Sequence, residues 1–333
     1  MIEIPKIPNK IKLKSIAVLT SGGDAPGMNA AVRAVVRYGI ANGAEVHGIY
    51  KGYSGLLEGQ IEKLNLSSVA NIIQRGGTVI KTARCPAFFK KEARRQAADI
   101  LRARGIEGLV VVGGDGSFAG AALMEKETGF KTIGLPGTID NDIPGTEDTI
   151  GFDTAVNTAL EAIDRIRDTA SSHDRLFLVE VMGRNSGNIA LYTGMGGGAE
   201  TIVVPEDPAS VSKIAKAVER GMKRGKSSSI IVVAEGGKSG LANQLGHGLE
   251  KLGLDPRVCT LGHIQRGGTP TAHDRMLGSV LGAVATAYLL NGKSNGMVGV
   301  SKNRATFVAY KNTTGKKKKL NPYFMKLAEI LAT

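Results

Sequence analysis

The chain has 333 residues, 42% of them hydrophobic, and its 43 Lys and Arg outweigh 30 Asp and Glu for a formal charge of +13. That length exceeds the usual size of one domain, so two are expected in a soluble globular protein, and no apolar run approaches the roughly 20 residues that span a bilayer. Aromatic content is only 5% and Trp is absent, so no stacking platform interleaves with the basic charge; phosphorylated small molecules fit that charge better than nucleic acid.

Cys85 and Cys259 are too few for a disulfide framework and lack the paired spacing of a zinc site. Residues Met1 to Lys14 alternate Pro, Lys and Ile without a signal-peptide core, so the cytoplasm is the expected location.

Ser15 to Thr20 is a short apolar run of strand character, followed by Ser21-Gly-Gly-Asp-Ala-Pro-Gly-Met-Asn29 and a helical pattern from about Ala30 to Ala41. Glycines let backbone N–H groups approach a phosphate, and the following helix adds the positive end of its dipole; an ordinary tight turn would read the same way. Glu45 to Tyr50 reads as a second strand, Lys51 to Gly55 as the loop after it, and Ser67 to Arg75 as helical. Arg84 precedes Cys85-Pro86 and is therefore extended, either reaching into a cleft or lying on the surface.

A helix from about Lys90 to Arg104 leads to Gly108-Leu-Val-Val-Val112, whose continuous apolar run marks a strand buried on both faces. Gly113-Gly-Asp-Gly-Ser117 and a helix from about Phe118 to Glu127 repeat the strand, glycine loop, helix device, with Asp115 placed to hold a magnesium ion. After Thr132 to Leu135 the loop Pro136-Gly-Thr-Ile-Asp-Asn-Asp142 carries two carboxylates, which read either as a solvated Asx-rich turn or as groups facing a ligand at a strand end.

An amphipathic helix from Gly151 to Ala170 opens a second α/β unit. Its strands are expected at Leu176 to Val181, Thr201 to Val204 and Ser229 to Ala234, between helices near Asn185 to Tyr192 and Ser210 to Arg224. Gly262-His-Ile-Gln-Arg266 precedes a long apolar helix from about His273 to Leu290, where His263 alone would more often be structural than catalytic. A last strand at Thr306 to Tyr310 precedes Lys316 to Lys319, a run of like charge to which the pattern assigns only solvation.

Five stretches, in one order and spacing, together resemble the ATP-dependent 6-phosphofructokinases: Thr20 to Ala30, Gly113 to Ser117, Pro136 to Asp142, Val181 to Arg184 and Leu261 to Gly268. The resemblance runs from about Lys14 to about Ala309. It implies two similar three-layer α/β/α domains with mainly parallel sheets and the active site in the cleft between them. The first, at 1–150 and 265–312, would bind ATP; the second, at 151–264 and 313–333, would bind fructose 6-phosphate.

By the same resemblance Gly23, Arg84, Cys85, Gly114, Asp115, Gly116 and Ser117 would hold ATP, with Asp115 on Mg2+. Asp140 would be the general base, assisted by Thr138, Arg84 and Arg184. Thr138, Ile139, Asp140, Asp142, Met182, Gly183, Arg184, Glu235, His263, Ile264, Gln265 and Arg266 would line the sugar-phosphate pocket, with Arg175 and Arg257 reaching in from a neighbour in a homotetramer. A carboxylate accepting the hydroxyl proton, and arginines matched to phosphate oxygens, are what this transfer requires.

The resemblance has departures and rivals. An allosteric site would use Arg33, Arg37, Arg167, Glu200, Arg224 and Lys226, yet Leu66 stands where an arginine is usual and Ser228 where a histidine is common, so weak effector coupling is expected. Relatives that use pyrophosphate carry Asp in place of Gly116 and Lys in place of Gly137, so ATP is the expected donor. A lipid or NAD kinase would lack the paired aspartates, and a non-catalytic sugar-phosphate sensor would most easily have lost Asp115 or Asp140. Neither a membrane nor a nucleic acid is expected as partner.

Overall fold

The structure is a computed structural model that describes residues 2–4, 11–172, 175–226, 228–237 and 240–332. His173 and Asp174, and much of the stretch from Met1 to Lys14, lie outside the described residues. The chain divides into two compact units. One comprises Met1–Ile139, Ile143–Asp153 and Arg266–Lys317; the other comprises Asp140–Asp142, Thr154–Gln265 and Lys318–Thr333.

In chain order the first unit begins with β1 (Ser15–Ser21), α1 (Met28–Ala41), β2 (Glu45–Ile49), α2 (Gly52–Leu57), β3 (Ile61–Leu64), α3 (Lys91–Ala103), β4 (Gly108–Gly113), α4 (Asp115–Thr128) and β5 (Lys131–Pro136). After α5 (Phe152–Ser172) come the second unit's β6 (Leu176–Val181), α6 (Asn188–Gly196), β7 (Thr201–Val203), α7 (Val211–Lys223), β8 (Ser229–Ala234), α8 (Leu241–Glu250) and β9 (Pro256–Thr260). The chain then returns through α9 (Ala272–Leu290), β10 (Gly296–Ser301) and β11 (Arg304–Ala309), and ends in α10 (Pro322–Leu331).

The first sheet has seven strands in the order β11-β10-β5-β4-β1-β2-β3, parallel except for the two edge pairs β10·β11 and β2·β3. β1 and β4 are buried at every position, which explains their unbroken apolar sequence: a central parallel strand has no wet face. Alternation divides their side chains between two layers. Ala17, Leu19, Leu109 and Val111 pack with Leu101 of α3 and with Phe118 and Met124 of α4, while Ile16 and Gly108 face Gly39 of α1 and Leu289 of α9. The second unit has a four-stranded, wholly parallel sheet in the order β7-β8-β6-β9 with its own core of Leu178, Ile231, Val233, Ile214 and Leu249. Both units are thus α/β with mainly parallel sheets.

Several elements differ from their sequence reading. Lys51 to Gly55 belongs to a short helix, entered by Lys51 in the left-handed conformation (φ 57°), and Ser67 to Arg75 holds only a single 3-10 turn at Ser67–Val69. The Gly113–Ser117 loop is shorter than it reads, because Asp115, Gly116 and Ser117 already form the first turn of α4. The structure adds the antiparallel edge strand β3 and the helices α8 and α10 to the elements expected from sequence. Among the described residues no helix is long and apolar enough to cross a membrane.

Candidate active site

In the first unit, adjacent parallel strands deliver three loops to one sheet edge. β1 ends at Gly22-Gly23, β4 at Gly114, and β5 at Gly137-Thr138, with Gly137 N donating to Gly113 O at 3.0 Å. The end of β5 continues by pairing with a returning segment: Thr138 N donates to Ile150 O at 3.1 Å, and Thr149 Oγ1 to Thr138 O at 2.6 Å. Asp115, Gly116 and Ser117 stand at the N-terminus of a 14-residue helix, where N–H groups and the dipole favour phosphate.

The space around these glycines is uneven. A Cβ at Gly116 would meet nothing within 4 Å, whereas one at Gly137 would lie 3.0 Å from Val112 Cγ1 and 3.1 Å from Met28 Cε. A Cβ at Gly23 would fall 2.5 Å from Nη1 of Arg266, whose guanidinium also donates to Asp24 O at 3.1 Å. Arg266 thus belongs to the glycine loop of the first unit, whereas Met182, Gly183 and Arg184 of the expected sugar-phosphate set belong to the second. Arg84 is exposed, and the segment before it is tied to β1 where Thr82 Oγ1 donates to Gly22 O at 2.8 Å and Thr20 Oγ1 to Lys81 O at 2.8 Å.

Two supports here carry no clear signal in the sequence. Tyr53 Oη donates to Ser117 O at 2.8 Å, and its complete burial, with Tyr310 nearby, pushes the phenol well above its ordinary range and keeps it a donor. Arg94 grips Glu127 through Nε at 2.8 Å and Nη2 at 2.6 Å while Nη1 donates to the carbonyls of Phe88 and Phe89, bracing the turn that follows Cys85. An Arg at helical spacing among other charges looks the same in sequence whether or not it plays this part.

In the second unit the loop Asp140–Asp142 meets the segment that follows β6. Arg184 Nε lies 3.8 Å from Asp140 Oδ2, and the two side chains are 57% and 5% exposed, so a solvated cation faces a nearly dry carboxylate. Arg184 holds φ 52°, a strained conformation for a residue with a side chain, fixed where its N–H donates to Glu235 Oε1 at 2.9 Å. Asp142 is half-buried, whereas His263 and Ile264 are both exposed in the 3-10 turn Gly262–Arg266.

Ser186 Oγ donates to Asp140 O, and Asn188 Nδ2 to Asn141 O, each at 2.9 Å. This accounts for the late start of α6 at Asn188 rather than Asn185: the intervening residues hold the aspartate loop.

Other expected residues fall elsewhere. Gln265 is fully buried, accepts from Met182 N at 2.8 Å and donates to Ala155 O at 3.4 Å, so its amide is an internal brace for Met182 rather than a ligand contact. Arg175 immediately precedes β6 and Arg257 lies in β9 opposite Phe177, at the start of these strands, whereas Met182, Arg184 and Glu235 follow the ends. At about 3.3 Å per residue the six residues of β6 separate the two groups by roughly 20 Å. Of the expected effector residues, Lys226 Nζ lies 3.2 Å from Glu200 Oε1, and Arg167 Nη2 donates to the carbonyls of Gly197 and Gly198. Arg224 follows α7, Arg33 and Arg37 lie on α1, and Leu66 is half exposed.

Residues 15–289 match the Phosphofructokinase family. The chain belongs to that family. It is 57% identical over 293 residues to the ATP-dependent 6-phosphofructokinase of Halalkalibacterium halodurans, covering 88% of this chain and 91% of that one. It is 53% identical to ATP-dependent 6-phosphofructokinase 1 of Thermus thermophilus, covering 96% of this chain and all of the relative. Among solved structures, phosphofructokinase from Saccharomyces cerevisiae superposes with a TM-score of 0.83 at 39% identity, over 95% of this chain; the chain spans 46% of the yeast chain.

Family membership leaves the brace at Gln265 as this chain's own testable feature. Gln265→Met removes the acceptor from the buried Met182 N–H and should cost about 1–3 kcal/mol, read as a lower urea midpoint. An unchanged midpoint would show that Met182 finds another partner.

Proposed function

We propose that the chain is an ATP-dependent 6-phosphofructokinase that transfers the γ-phosphoryl group of ATP to the 1-hydroxyl of fructose 6-phosphate, giving fructose 1,6-bisphosphate and ADP in glycolysis. The observation that carries this reading is the buried Asp140 carboxylate held beside Arg184, in a family member more than half identical to enzymes of that name. A sugar hydroxyl is a poor nucleophile at neutral pH. Asp140 accepts its proton as it attacks the γ-phosphorus, and Arg184 offsets negative charge on the transferring group. Met182, Gly183, Arg184 and Glu235 form the strand-end side of the sugar pocket, with Thr138, Ile139, Asp142, His263, Ile264 and Arg266 assigned to it as well.

ATP is assigned to the first unit's glycine loops, Gly23 and Gly114 to Ser117, with Arg84 and Cys85. Asp115 suits Mg2+, which commonly takes one or two carboxylates plus substrate phosphates and waters and needs no cluster of protein ligands. Held by Asp115, such an ion would supply positive charge that offsets the charge of the transferring phosphates. The open space at Gly116 supports ATP over pyrophosphate as donor, since a nucleotide's phosphates can pass close to that helix terminus. The placement of Arg175 and Arg257 at the far strand ends supports their service to a neighbour's sugar phosphate in a homotetramer. A cytoplasmic location accompanies the glycolytic role. The effector site, from Arg33, Arg37, Arg167, Glu200, Arg224 and Lys226, is assigned weak coupling because Leu66 and Ser228 bring no cation.

Asp140→Asn should lower turnover about 100-fold or more with substrate affinities nearly unchanged, as measured by a coupled ADP-release assay. Near-normal turnover in that variant, with Asp142→Asn inactive, would move the base to Asp142. Gly116→Asp should melt no lower than wild type, yet lose about 10-fold or more in kcat/KM for ATP through like-charge repulsion; comparable wild-type rates with pyrophosphate would refute the donor assignment. For the shared arginines, Asp140→Ala subunits mixed with Arg175→Ala/Arg257→Ala subunits should regain activity in hybrid oligomers. Verified hybrids without activity would sink the shared site.

A further inference from the structure

Of the four lysines at Lys316 to Lys319, three are exposed and one is not. Lys318 is half-buried, and its Nζ donates to Asn141 Oδ1 at 2.9 Å while its backbone N–H donates to Asp142 O at 3.3 Å. We propose that Lys318 is a positioning residue for phosphoryl transfer, acting by holding Asn141 in the conformation that aims Asp140. The inference rests on the reading of Asp140 as general base.

Asn141 is 2% exposed and adopts φ 46°. Asn visits this left-handed region more readily than most residues, but a residue with a side chain stays there only when its surroundings over-determine it. In an extended chain, residues two apart point the same way. The left-handed Asn141 breaks that alternation, and the two aspartates differ accordingly: Asp140 is 3% exposed beside Arg184, while Asp142 is half-buried. Ser186 and Asn188, at the start of α6, fix the carbonyls of Asp140 and Asn141; Lys318, from the segment before α10, fixes the Asn141 side chain and the Asp142 carbonyl. Without the ammonium, Asn141 can turn toward ordinary backbone angles and carry the Asp140 carboxylate with it.

The lysine is itself held in place. Upstream, Gly315 adopts φ 68° and its N–H donates to Asp115 Oδ1 at 2.9 Å. Downstream, Leu320 is buried and Asn321 caps α10 by accepting from Tyr323 N at 3.0 Å. A solvated run of like charge would show neither anchoring nor one lysine singled out for burial, and neither Lys317 nor Lys319 shares this environment.

The test is steady-state kinetics on the full-length enzyme with Lys318→Met, Lys318→Arg, Lys317→Met and Asp140→Asn. Lys318→Met should lower kcat about 10-fold with KM for both substrates within about threefold, because a misplaced base costs rate rather than affinity. Lys318→Arg should recover most of the loss, and Lys317→Met should match wild type. Asn141→Gly provides the sharper check, since glycine takes a positive φ without support. In that background Lys318→Met should have little further effect.

Wild-type kcat in Lys318→Met while Asp140→Asn is inactive would overturn the positioning role alone. An equal loss from Lys318→Met with or without Asn141→Gly would overturn it too, showing that the lysine acts by charge and not through Asn141. Normal turnover in Asp140→Asn would instead remove the base assignment on which the inference stands. Lys318→Gln gives the same comparisons if the apolar variant does not assemble.

Discussion

A carboxylate stripped of water is costly unless charge and hydrogen bonds compensate it, and Asp140 is such a group: its side chain is 5% exposed, with the Arg184 guanidinium 3.8 Å away. That constraint organises the second unit around it. β6 and β8 are buried parallel strands whose ends present Arg184 and Glu235, and the strained backbone at Arg184 is secured by the Glu235 carboxylate. The start of α6 gives way so that Ser186 and Asn188 can hold the loop, and the fully buried Gln265 steadies Met182. Buried polar groups here are connected to one another, which rigidifies the loop in a way that an apolar core could not aim.

On the proposed reading the first unit meets a different requirement, the close approach of phosphate to backbone. It does so with strand ends followed by glycines and by helices whose first turns carry polar side chains. Around those loops the supports are mostly large and buried: Tyr53 under Ser117, and the Arg94–Glu127 pair under the Pro86–Phe89 turn.

Much of this was legible in the linear chain. Gly108 to Val112 had to be a central strand because no alternation relieved its apolar run, and the repeated strand, glycine, helix order implied parallel sheets with loops gathered at one edge. The candidate site residues stand out as motifs because the proposed chemistry demands particular side chains at short spacing, as in Asp140-Asn141-Asp142. Edge elements were not legible. β3 is four residues with two exposed, and Ser67 to Arg75 has helical spacing but only one turn of helix, so periodicity there competes with turn chemistry and loses.

Residue type alone decided that Asp140 and Asp142 could carry acid–base chemistry, that Gly22, Gly23, Gly114 and Gly116 could admit a phosphate, and that the chain would form α/β units with mainly parallel sheets. Orientation was decided only by tertiary structure. No local pattern says that Gln265 points inward to Met182 while its neighbour Ile264 is 58% exposed, or that Arg175 and Arg257 stand at the opposite strand ends from Arg184. Nor does a run of four lysines reveal which one turns in to meet Asn141, 177 residues away in sequence. Composition and spacing act within a few residues, whereas hydrogen bonds between distant segments exist only once packing has brought their partners together and excluded water from between them.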